Sequence, residues 1–579
     1  HPTRIAISIH FISVPSITDY PSIQYLSNMS PPSPSWTTAF TTFTSDIPQG
    51  HHTRTTTTSA QWLRSLMASG LFQLTDLRDR PDRFLDAHRL LSQHAIDVGP
   101  ALGIRMTVQY NLFAGTVLGC GNPTQIESLV RMQQQGELGC FALTEAFAGV
   151  HSGLVVQTTA TFAPHPDHGA PGFVLHCPDE GARKNWISQG MVADWMVVIA
   201  DLQVPEQNAS QPSSAPFRCG PHAFLVRLRH QGGPLPKEVT ATDMGPKTVG
   251  HDLDNAQLTF HHWWIPLHSL LDRYGQVTDT GQYIRTTPHL HPLEAVGQRL
   301  HTGRAVIATS AVEFARALYR RTREYTDTKA CWTPVSASSS STSSSASSAS
   351  SASSSASSSA SSSSPRTSLT LSNVPQLHTL YAEMDRALSH CSTRMRRIDG
   401  QLRYWMRRNE CVPSHLVDTV AAAKVHCVET AIHWCHRLQQ EVGSYALSAR
   451  SGFGQLGYLQ CCKFAEGDSR VLLHKLARDR YIHYVKHEKG QLKEDFGGAN
   501  AIDNEVVLCW ELDSVVQSSG WGGWAMEQER VERLGWMVVG RWIGGEGDDD
   551  GEGDDDGEGE EDKKGGANVE DEPVVQSRL

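Results

Sequence analysis

The hydrophobic period of the 579-residue chain changes twice, and this order limits the folds it can adopt. Residues 60–140 repeat apolar side chains at helical spacing, as in DRFLDAHRLLSQHAIDVG and in NPTQIESLVRMQQQG. From residue 141 the apolar runs become short and rich in β-branched and aromatic residues. After Gly281 the helical period returns in long amphipathic stretches. Separate runs of helices, strands and helices predict separate domains and not an alternating parallel sheet.

The central region predicts a β-barrel. Its strand-like segments are GLVVQTTATF, GFVLHCPD, WMVVIADL, HAFLVRLRH and AQLTFHHWWIP, separated by Gly, Pro, Asp and Asn. We therefore expect an α+β multidomain chain. The predicted parts are an α-helical domain at 59–140, the barrel at 141–275, a C-terminal helical bundle at 282–334 and 367–495, and a helical extension at 496–543.

Three further stretches carry no pattern of a packed core. We predict a poorly ordered extension at 1–58, a disordered Ser/Ala linker at 335–366 that interrupts the bundle, and a disordered acidic tail at 544–579. The net charge is −11, and twelve acids lie between Glu546 and Asp562, so the rest of the chain is close to neutral. A near-neutral body has no electrostatic footprint for nucleic acid. No apolar run is long enough to predict a membrane span.

Cysteines and the chain end indicate the compartment. The twelve cysteines are scattered without a C-x-x-C pair, which favours a reducing compartment and predicts no metal site. The last residues, Ser577, Arg578 and Leu579, are similar to the peroxisomal signal S-K-L. They predict a peroxisomal protein with an import receptor as partner.

Four motifs carry a resemblance to a known family. GCFALTEAFAGVHSGLVVQTTATF, KNWISQGMVADWMVVIADL, DMGPKTVGHDLDNAQLTFHHWWIPLHSLLDRYG and KFAEGDSR follow one another along the chain. In content and order they resemble the acyl-CoA oxidase and acyl-CoA dehydrogenase family, from about residue 60 to about residue 490. The resemblance implies FAD as cofactor, a fatty acyl-CoA as substrate and a homodimer.

The same resemblance assigns roles to individual residues. Glu466 in KFAEGDSR matches the family base that removes the α-proton, whereas from its neighbours alone it is either a surface turn or a base in a dry pocket. Apolar flanks such as Phe464 are expected to raise the pKa of its carboxyl group. The implied flavin-binding and substrate-binding residues are Thr144, Gly149, Trp186 and Ser188 for FAD, and Arg304 for the acyl-CoA.

The implied reaction is an oxidation of acyl-CoA to trans-2-enoyl-CoA. The Ser-Arg-Leu ending favours an oxidase, which passes electrons to dioxygen and forms hydrogen peroxide. Residues 490–543 are shorter than the extra helical domain of family oxidases, so an acyl-CoA dehydrogenase that uses an electron-transfer flavoprotein stays an alternative. A third alternative is a non-catalytic relative that binds acyl-CoA.

Overall fold

The N-terminal part of the computed structural model is helical. The structure describes residues 34–45, 54–150, 155–206, 216–230, 232–287, 290, 292–331, 369–489 and 504–544. The first helices are α1 (Pro34–Ser45), α2 (Thr56–Ala68), α3 (Asp76–Asp79), α4 (Pro81–Val98), α5 (Ala101–Met106), a π-helical segment (Thr107–Phe113), α6 (Ala114–Cys120) and α7 (Pro123–Gln135).

Local sequence explains where these helices begin and end. Before α7, the Asn122 side chain accepts a hydrogen bond from the Gln125 N–H at 2.9 Å, and Gly136 ends the helix in the left-handed conformation. Helix α1 lies inside the range predicted to be poorly ordered, and that prediction needs correction. Trp36 and Phe40 of α1 are buried and stacked, so this helix packs on the core through two aromatic side chains.

The strands that follow are β1 (Gly139–Ala142), β2 (Thr159–Pro164), β3 (Pro171–His176), β4 (Lys184–Ser188), β5 (Trp195–Val204), β6 (Phe217–Arg227), β7 (Val239–Asp243), β8 (Asn255–Phe260), β9 (Trp263–Pro266), β10 (Gly275–Val277) and β11 (Tyr283–Arg285). Two further short strands, β12 (Ala330–Cys331) and β13 (Leu369–Thr370), pair with each other after the next helix.

The predicted region of β-structure is confirmed, but a closed barrel is not shown, because the described strands form open sheets. The order β1-β5-β2-β3-β9, with β6 on the other side of β5, gives a six-stranded sheet, and β4-β8-β7 gives a separate three-stranded sheet. A closed barrel requires the edge strands to pair with each other. Within the described residues the two sheets are instead linked by an isolated bridge between Glu145 and Lys184 and by single hydrogen bonds, such as that from the Cys177 N–H to the Phe260 carbonyl oxygen at 3.0 Å.

Strand β5 shows how the sheets pack. Its side chains alternate between two cores: Val197 and Ile199 join the cluster formed by the helices, whereas Met196 and Val198 join the cluster between the sheets. Both faces of the strand are therefore covered, which explains its nearly continuous apolar sequence WMVVIADL.

The C-terminal part is a bundle of long helices. These are α8 (Pro292–Thr328), α9 (Pro375–Arg408), α10 (Ser414–Glu441), α11 (Gly457–Phe464), α12 (Ser469–His487), α13 (Asn504–Met526) and α14 (Gln528–Gly544). Helix α8 packs against α4, α6, α9 and α10 and so forms the centre of the bundle.

Several predicted segments lie outside the described residues. These are the linker at 335–366, the tail beyond residue 544 with Ser577, Arg578 and Leu579, and most of the extension at 1–58. Among the helices that the structure does describe, none combines the length and apolarity needed to cross a bilayer. The same residues hold no group of three or more His, Cys, Asp or Glu side chains placed to bind a metal ion.

Candidate active site

Glu466 lies in a tight turn between α11 and α12. Its φ is +56°, and that of Gly467 is +99°. A left-handed conformation is uncommon for a glutamate, and such strain is concentrated at functional sites. The turn ends at Asp468, whose side chain accepts a hydrogen bond from the Arg470 N–H at 2.8 Å and caps α12.

The carboxyl group of Glu466 points into the protein, against α8. Its Oε2 is enclosed and has no hydrogen-bond partner among the described residues. A Cβ on Gly303 of α8 would overlap the Cδ and Oε2 atoms of Glu466, so only glycine leaves room for the carboxyl group. Phe464 does not provide the enclosure as expected, because its side chain is 61% exposed.

Two cations, the buried Lys424 and the half-buried Arg304, hold the turn by its backbone. The Arg304 Nε donates a hydrogen bond to the Glu466 carbonyl oxygen at 2.9 Å. The Lys424 Nζ donates to the carbonyl oxygens of Lys463 (2.6 Å) and Gly467 (2.9 Å), one on each side of Glu466. Its third hydrogen bond is to the Ser469 Oγ at 3.1 Å. Lys424 thus uses all three of its donors on this turn.

Burial controls the protonation of this group. It raises the pKa of Glu466 to about 8, while the nearby charges of Arg304 and Lys424 act in the opposite direction. Burial also lowers the pKa of Lys424 to about 7 and that of Arg304 to about 10. An enclosed carboxyl group with a pKa near neutrality is suited to proton transfer.

Thr144 and Trp186 lie on adjacent segments at the rim of the sheets. The Asn185 N–H donates a hydrogen bond to the Thr144 carbonyl oxygen at 2.9 Å, which aligns the two segments. The Thr144 side chain is exposed, and Trp186 is 56% exposed with a φ of +58°. Phe147, three residues after Thr144, is 64% exposed. The rim therefore offers a hydroxyl group and two exposed rings to a flat ligand.

The other predicted flavin-binding residues have different surroundings. The Ser188 Oγ accepts a hydrogen bond from the Asn255 Nδ2 at 3.0 Å, and its own hydrogen stays able to donate. Gly149 is exposed. Glu145, next to Thr144, is buried and paired with the Lys184 Nζ at 2.8 Å, so it has a structural role.

One segment contacts both halves of the candidate site. Met244, just after β7, accepts a hydrogen bond at its Sδ from the Trp186 N–H at 3.2 Å. Five residues later, Val249 packs on Gly457, where α11 begins. Helix α11 then runs to the turn that holds Glu466. The segment between β7 and β8 therefore connects the rim with the base, at the junction of sheets and bundle.

Two residues of this arrangement were not predicted from the sequence. Lys424 occurs as a lone charge in VAAAKVHCV, and a single lysine within an apolar helical run is the signal that could have indicated a buried amine. Gly303 in HTGRAV gives no such signal. Arg304 was predicted to contact substrate, whereas the structure shows it on the backbone of Glu466; substrate contact stays a prediction.

Comparisons with solved structures identify the class of fold. Acyl-CoA oxidase-2 from Caenorhabditis elegans, solved with FAD, ascaroside-CoA and ATP, superposes with a TM-score of 0.65 at 17% identity, covering 88% of this chain and 75% of that one. The chain therefore has the fold of acyl-CoA oxidases, in which helices enclose a central region of β-sheet.

Sequence comparisons show which proteins the chain resembles. Acyl-coenzyme A oxidase 2, peroxisomal, from Arabidopsis thaliana is 35% identical over 201 residues, which are 34% of this chain and 27% of that protein. Human peroxisomal acyl-coenzyme A oxidase 3 is 31% identical over 210 residues, 35% of this chain and 27% of that protein. The chain thus aligns with less than a third of the length of these relatives. No family model matches it. Over about a third of its length, the chain is therefore similar in sequence to acyl-CoA oxidases.

Proposed function

We propose that the chain is an FAD-dependent acyl-CoA oxidase that converts a fatty acyl-CoA to its trans-2-enoyl-CoA. The observation that carries the proposal is the enclosed carboxyl group of Glu466, whose Oε2 finds no hydrogen-bond partner in the part of the chain that the structure describes and whose pKa is raised by burial. The oxidase relatives and the shared fold support it.

Glu466 would act as the base. The α-proton of a thioester is only weakly acidic, so its removal requires a base held against the α-carbon. The reaction transfers that proton to the Glu466 carboxylate while the β-hydrogen leaves as a hydride. Arg304 and Lys424 hold the backbone on both sides of Glu466 and restrict where the carboxylate can point. Gly303 leaves the space that the carboxyl group occupies.

The residues at the rim fit a flavin. Thr144 offers an exposed hydroxyl group, Ser188 a hydroxyl hydrogen, and Trp186 an exposed ring, and we propose that these residues and the backbone at Gly149 hold FAD. When bound, FAD would supply the acceptor for the β-hydride and pass the electron pair to dioxygen, which gives hydrogen peroxide.

The compartment and the assembly are also proposals. The relatives are named as peroxisomal, and the chain ends in Ser577-Arg578-Leu579, outside the described residues. We propose import into peroxisomes through this signal and a homodimer as the assembled form. Contact of Arg304 with the acyl-CoA belongs to the same proposal.

Replacing Glu466 by Gln tests the proposed reaction. The amide keeps the shape but cannot accept the proton, so reduction of the bound flavin by acyl-CoA should slow by roughly 10²–10⁴-fold. The measurement is anaerobic bleaching of the flavin spectrum, followed in air by a peroxide assay. Glu429→Gln is the matched control, because Glu429 pairs with Lys463 near the surface. Unchanged bleaching in the Glu466→Gln protein would remove this residue from the mechanism.

A further inference from the structure

Arg299 is a buried arginine that the proposed reaction does not use. It lies on α8, is only 7% exposed, and extends along α6. A Cβ on Gly115 would lie 3.0 Å from the Arg299 Cδ, and one on Gly119 would lie 3.4 Å from its Nε. Two glycines one helical turn apart therefore make room for this side chain.

The guanidinium group of Arg299 has no partner among the described residues. Its Nε is fully enclosed without a hydrogen bond. The two terminal nitrogens also donate no hydrogen bond within the described part of the chain, but they are not enclosed, so they border accessible space. An unpaired buried cation is costly, and removal of a buried charge's partner is among the largest single destabilisations known. The arrangement is therefore incomplete without an anion.

Two chain segments lie beside this guanidinium group. They are the end of α6, where Gly119 faces the Arg299 Nε, and the residues before β10, where Arg273 donates a hydrogen bond to the Gly119 carbonyl oxygen. None of the ionisable groups with the largest effect on the pKa of Arg299 is a carboxylate. They are the thiols of Cys120 and Cys411, the phenol of Tyr274 and the guanidinium group of Arg273.

The second arginine is fixed in place. The Arg273 side chain donates hydrogen bonds to the carbonyl oxygens of Gly119 (3.2 Å) and Asn409 (3.3 Å). The carboxylate nearest along the turn, Glu410, is paired with the Arg408 Nε at 3.0 Å. Arg273 and Arg299 thus both lie against Gly119, and among the described residues no carboxylate forms an ion pair with Arg299.

We propose that Arg299, assisted by Arg273, forms a subsite for an oxyanion, either a carboxylate or a phosphate group. A guanidinium group presents paired N–H donors that match both anions. Arg299 and Gly303 are four residues apart on α8 and so lie on the same side of the helix, the side that the Glu466 carboxyl group contacts. If the proposed function holds, one source of the anion is a carboxylate at the far end of the acyl chain; the other is a phosphate.

The first experiment measures anion binding without activity. The thermal unfolding temperature of the purified protein is compared in inorganic phosphate and in chloride at equal ionic strength. Phosphate should raise it in the wild type, and Arg299→Met should abolish the rise. Arg299→Lys, which keeps the charge, should retain part of it. Arg320→Met, an exposed arginine changed in the same way on the same helix, should behave as the wild type.

The second experiment distinguishes the source. kcat/KM is measured for an acyl-CoA and for the ω-carboxyl acyl-CoA of equal chain length. A carboxylate source predicts that Arg299→Met lowers kcat/KM for the ω-carboxyl substrate by about tenfold or more relative to the plain one. An unchanged ratio with loss of phosphate stabilisation identifies phosphate as the anion.

These outcomes separate the two proposals. If Arg299→Met changes neither the substrate ratio nor the phosphate effect, the oxyanion subsite is wrong. If the wild type oxidises neither substrate but phosphate still stabilises it through Arg299, the subsite stands and the proposed function fails. Because Arg299 is unpaired, its replacement by Met is expected to leave a folded protein, and Arg299→Lys provides a second folded variant.

Discussion

At the scale of single residues, the protonation of Glu466 depends on the two cations that hold its turn. Burial places its pKa at about 8, so the base form increases as the pH rises through this value. Arg304 and Lys424 both lower that pKa and so favour the ionised form. The Lys424 amine is itself only partly protonated near neutral pH, since burial lowers its pKa to about 7. The rate of α-proton removal should therefore be sensitive to Lys424 even though this residue need not contact the substrate.

Replacing Lys424 by Met tests this coupling. The change removes a positive charge near Glu466 and three hydrogen bonds from the turn. Because Lys424, with a pKa of about 7, is only partly protonated near pH 8, we expect the pKa that limits flavin reduction to rise only slightly above about 8. The loss of the three hydrogen bonds should lower the maximal rate by about tenfold, with KM for acyl-CoA little changed. The measurement is the pH dependence of anaerobic flavin bleaching by acyl-CoA.

A neighbouring lysine gives the matched control for this test. The Lys463 side chain pairs with the Glu429 Oε1 at 2.7 Å near the surface, so Lys463→Met removes a charge of the same sign from the same region. Its pH profile should stay that of the wild type. If the Lys424 variant also has the pH profile of the wild type, this amine neither affects the protonation of Glu466 nor positions its carboxyl group.

The residue scale also shows what the sequence could indicate. The Glu-Gly pair in KFAEGDSR was singled out through its resemblance to a family motif, and in the structure both residues have a positive φ. The roles of Lys424 and Gly303 could not be predicted, because each depends on a contact with a residue more than 40 positions away. Sequence patterns report local periodicity and not such contacts.

At the scale of elements, helix α8 forms the wall against which the base is placed. Gly303 lies inside this 37-residue helix, where glycine lowers helix stability relative to alanine. The carboxyl group of Glu466 occupies the space that a side chain at position 303 would need, so glycine fits this position. Gly303 thus lowers the local stability of α8 and leaves space for the base beside the helix.

Replacing Gly303 by Ala should therefore displace the base. The new methyl group overlaps the Cδ and Oε2 of Glu466, so the carboxyl group must move, and we expect flavin reduction to slow by about 10²-fold. Because the overlapped atoms lie at the far end of a flexible side chain and alanine favours the helix, the free energy of unfolding should change by less than about 1 kcal/mol. Stopped-flow flavin bleaching and denaturant unfolding measure the two effects.

Gly297 provides the control on the same helix. A Cβ there has no atom within 4 Å, so Gly297→Ala should raise stability by about 0.5–1 kcal/mol and leave activity unchanged. If both alanine variants behave alike, the space at Gly303 has no function in placing the base.

The type of each element could be predicted, but the closure of the sheet could not. Helices such as α4 and α7 and strands such as β5 follow directly from periods of 3.6 and 2 and from their end signals. Which strands pair is decided by the way side chains from both faces fill the cores. Because β5 is covered on both faces, its apolar sequence fits an open sheet between two layers as well as it fits a barrel.

At the scale of the whole molecule, one buried arginine joins the N-terminal helices to the three-stranded sheet. Arg105 on α5 donates hydrogen bonds to the Ser59 Oγ on α2 (2.8 Å) and to the Gln189 Oε1 after β4 (3.3 Å). It also pairs with the Asp254 Oδ1 before β8 at 2.8 Å. Asp254 and Gln189 flank the strands that present Trp186 and Ser188. The position of the rim therefore depends on a contact with the N-terminal helices.

Replacing Arg105 by Met tests whether this junction sets the geometry of the rim. The variant leaves the Asp254 carboxylate buried without its cation, so the free energy of unfolding should fall by about 3–5 kcal/mol. Adding Asp254→Asn to the same protein removes the unpaired buried charge and should recover part of this loss. As the control, Arg323→Met, in the exposed pair with Asp327, should change the free energy of unfolding by less than about 1 kcal/mol. If the junction also positions the rim, the double variant should stay weakened in FAD binding, measured by flavin fluorescence, after its stability has partly returned. Full recovery of both properties would show that Arg105 stabilises the fold without placing the residues proposed to hold the cofactor.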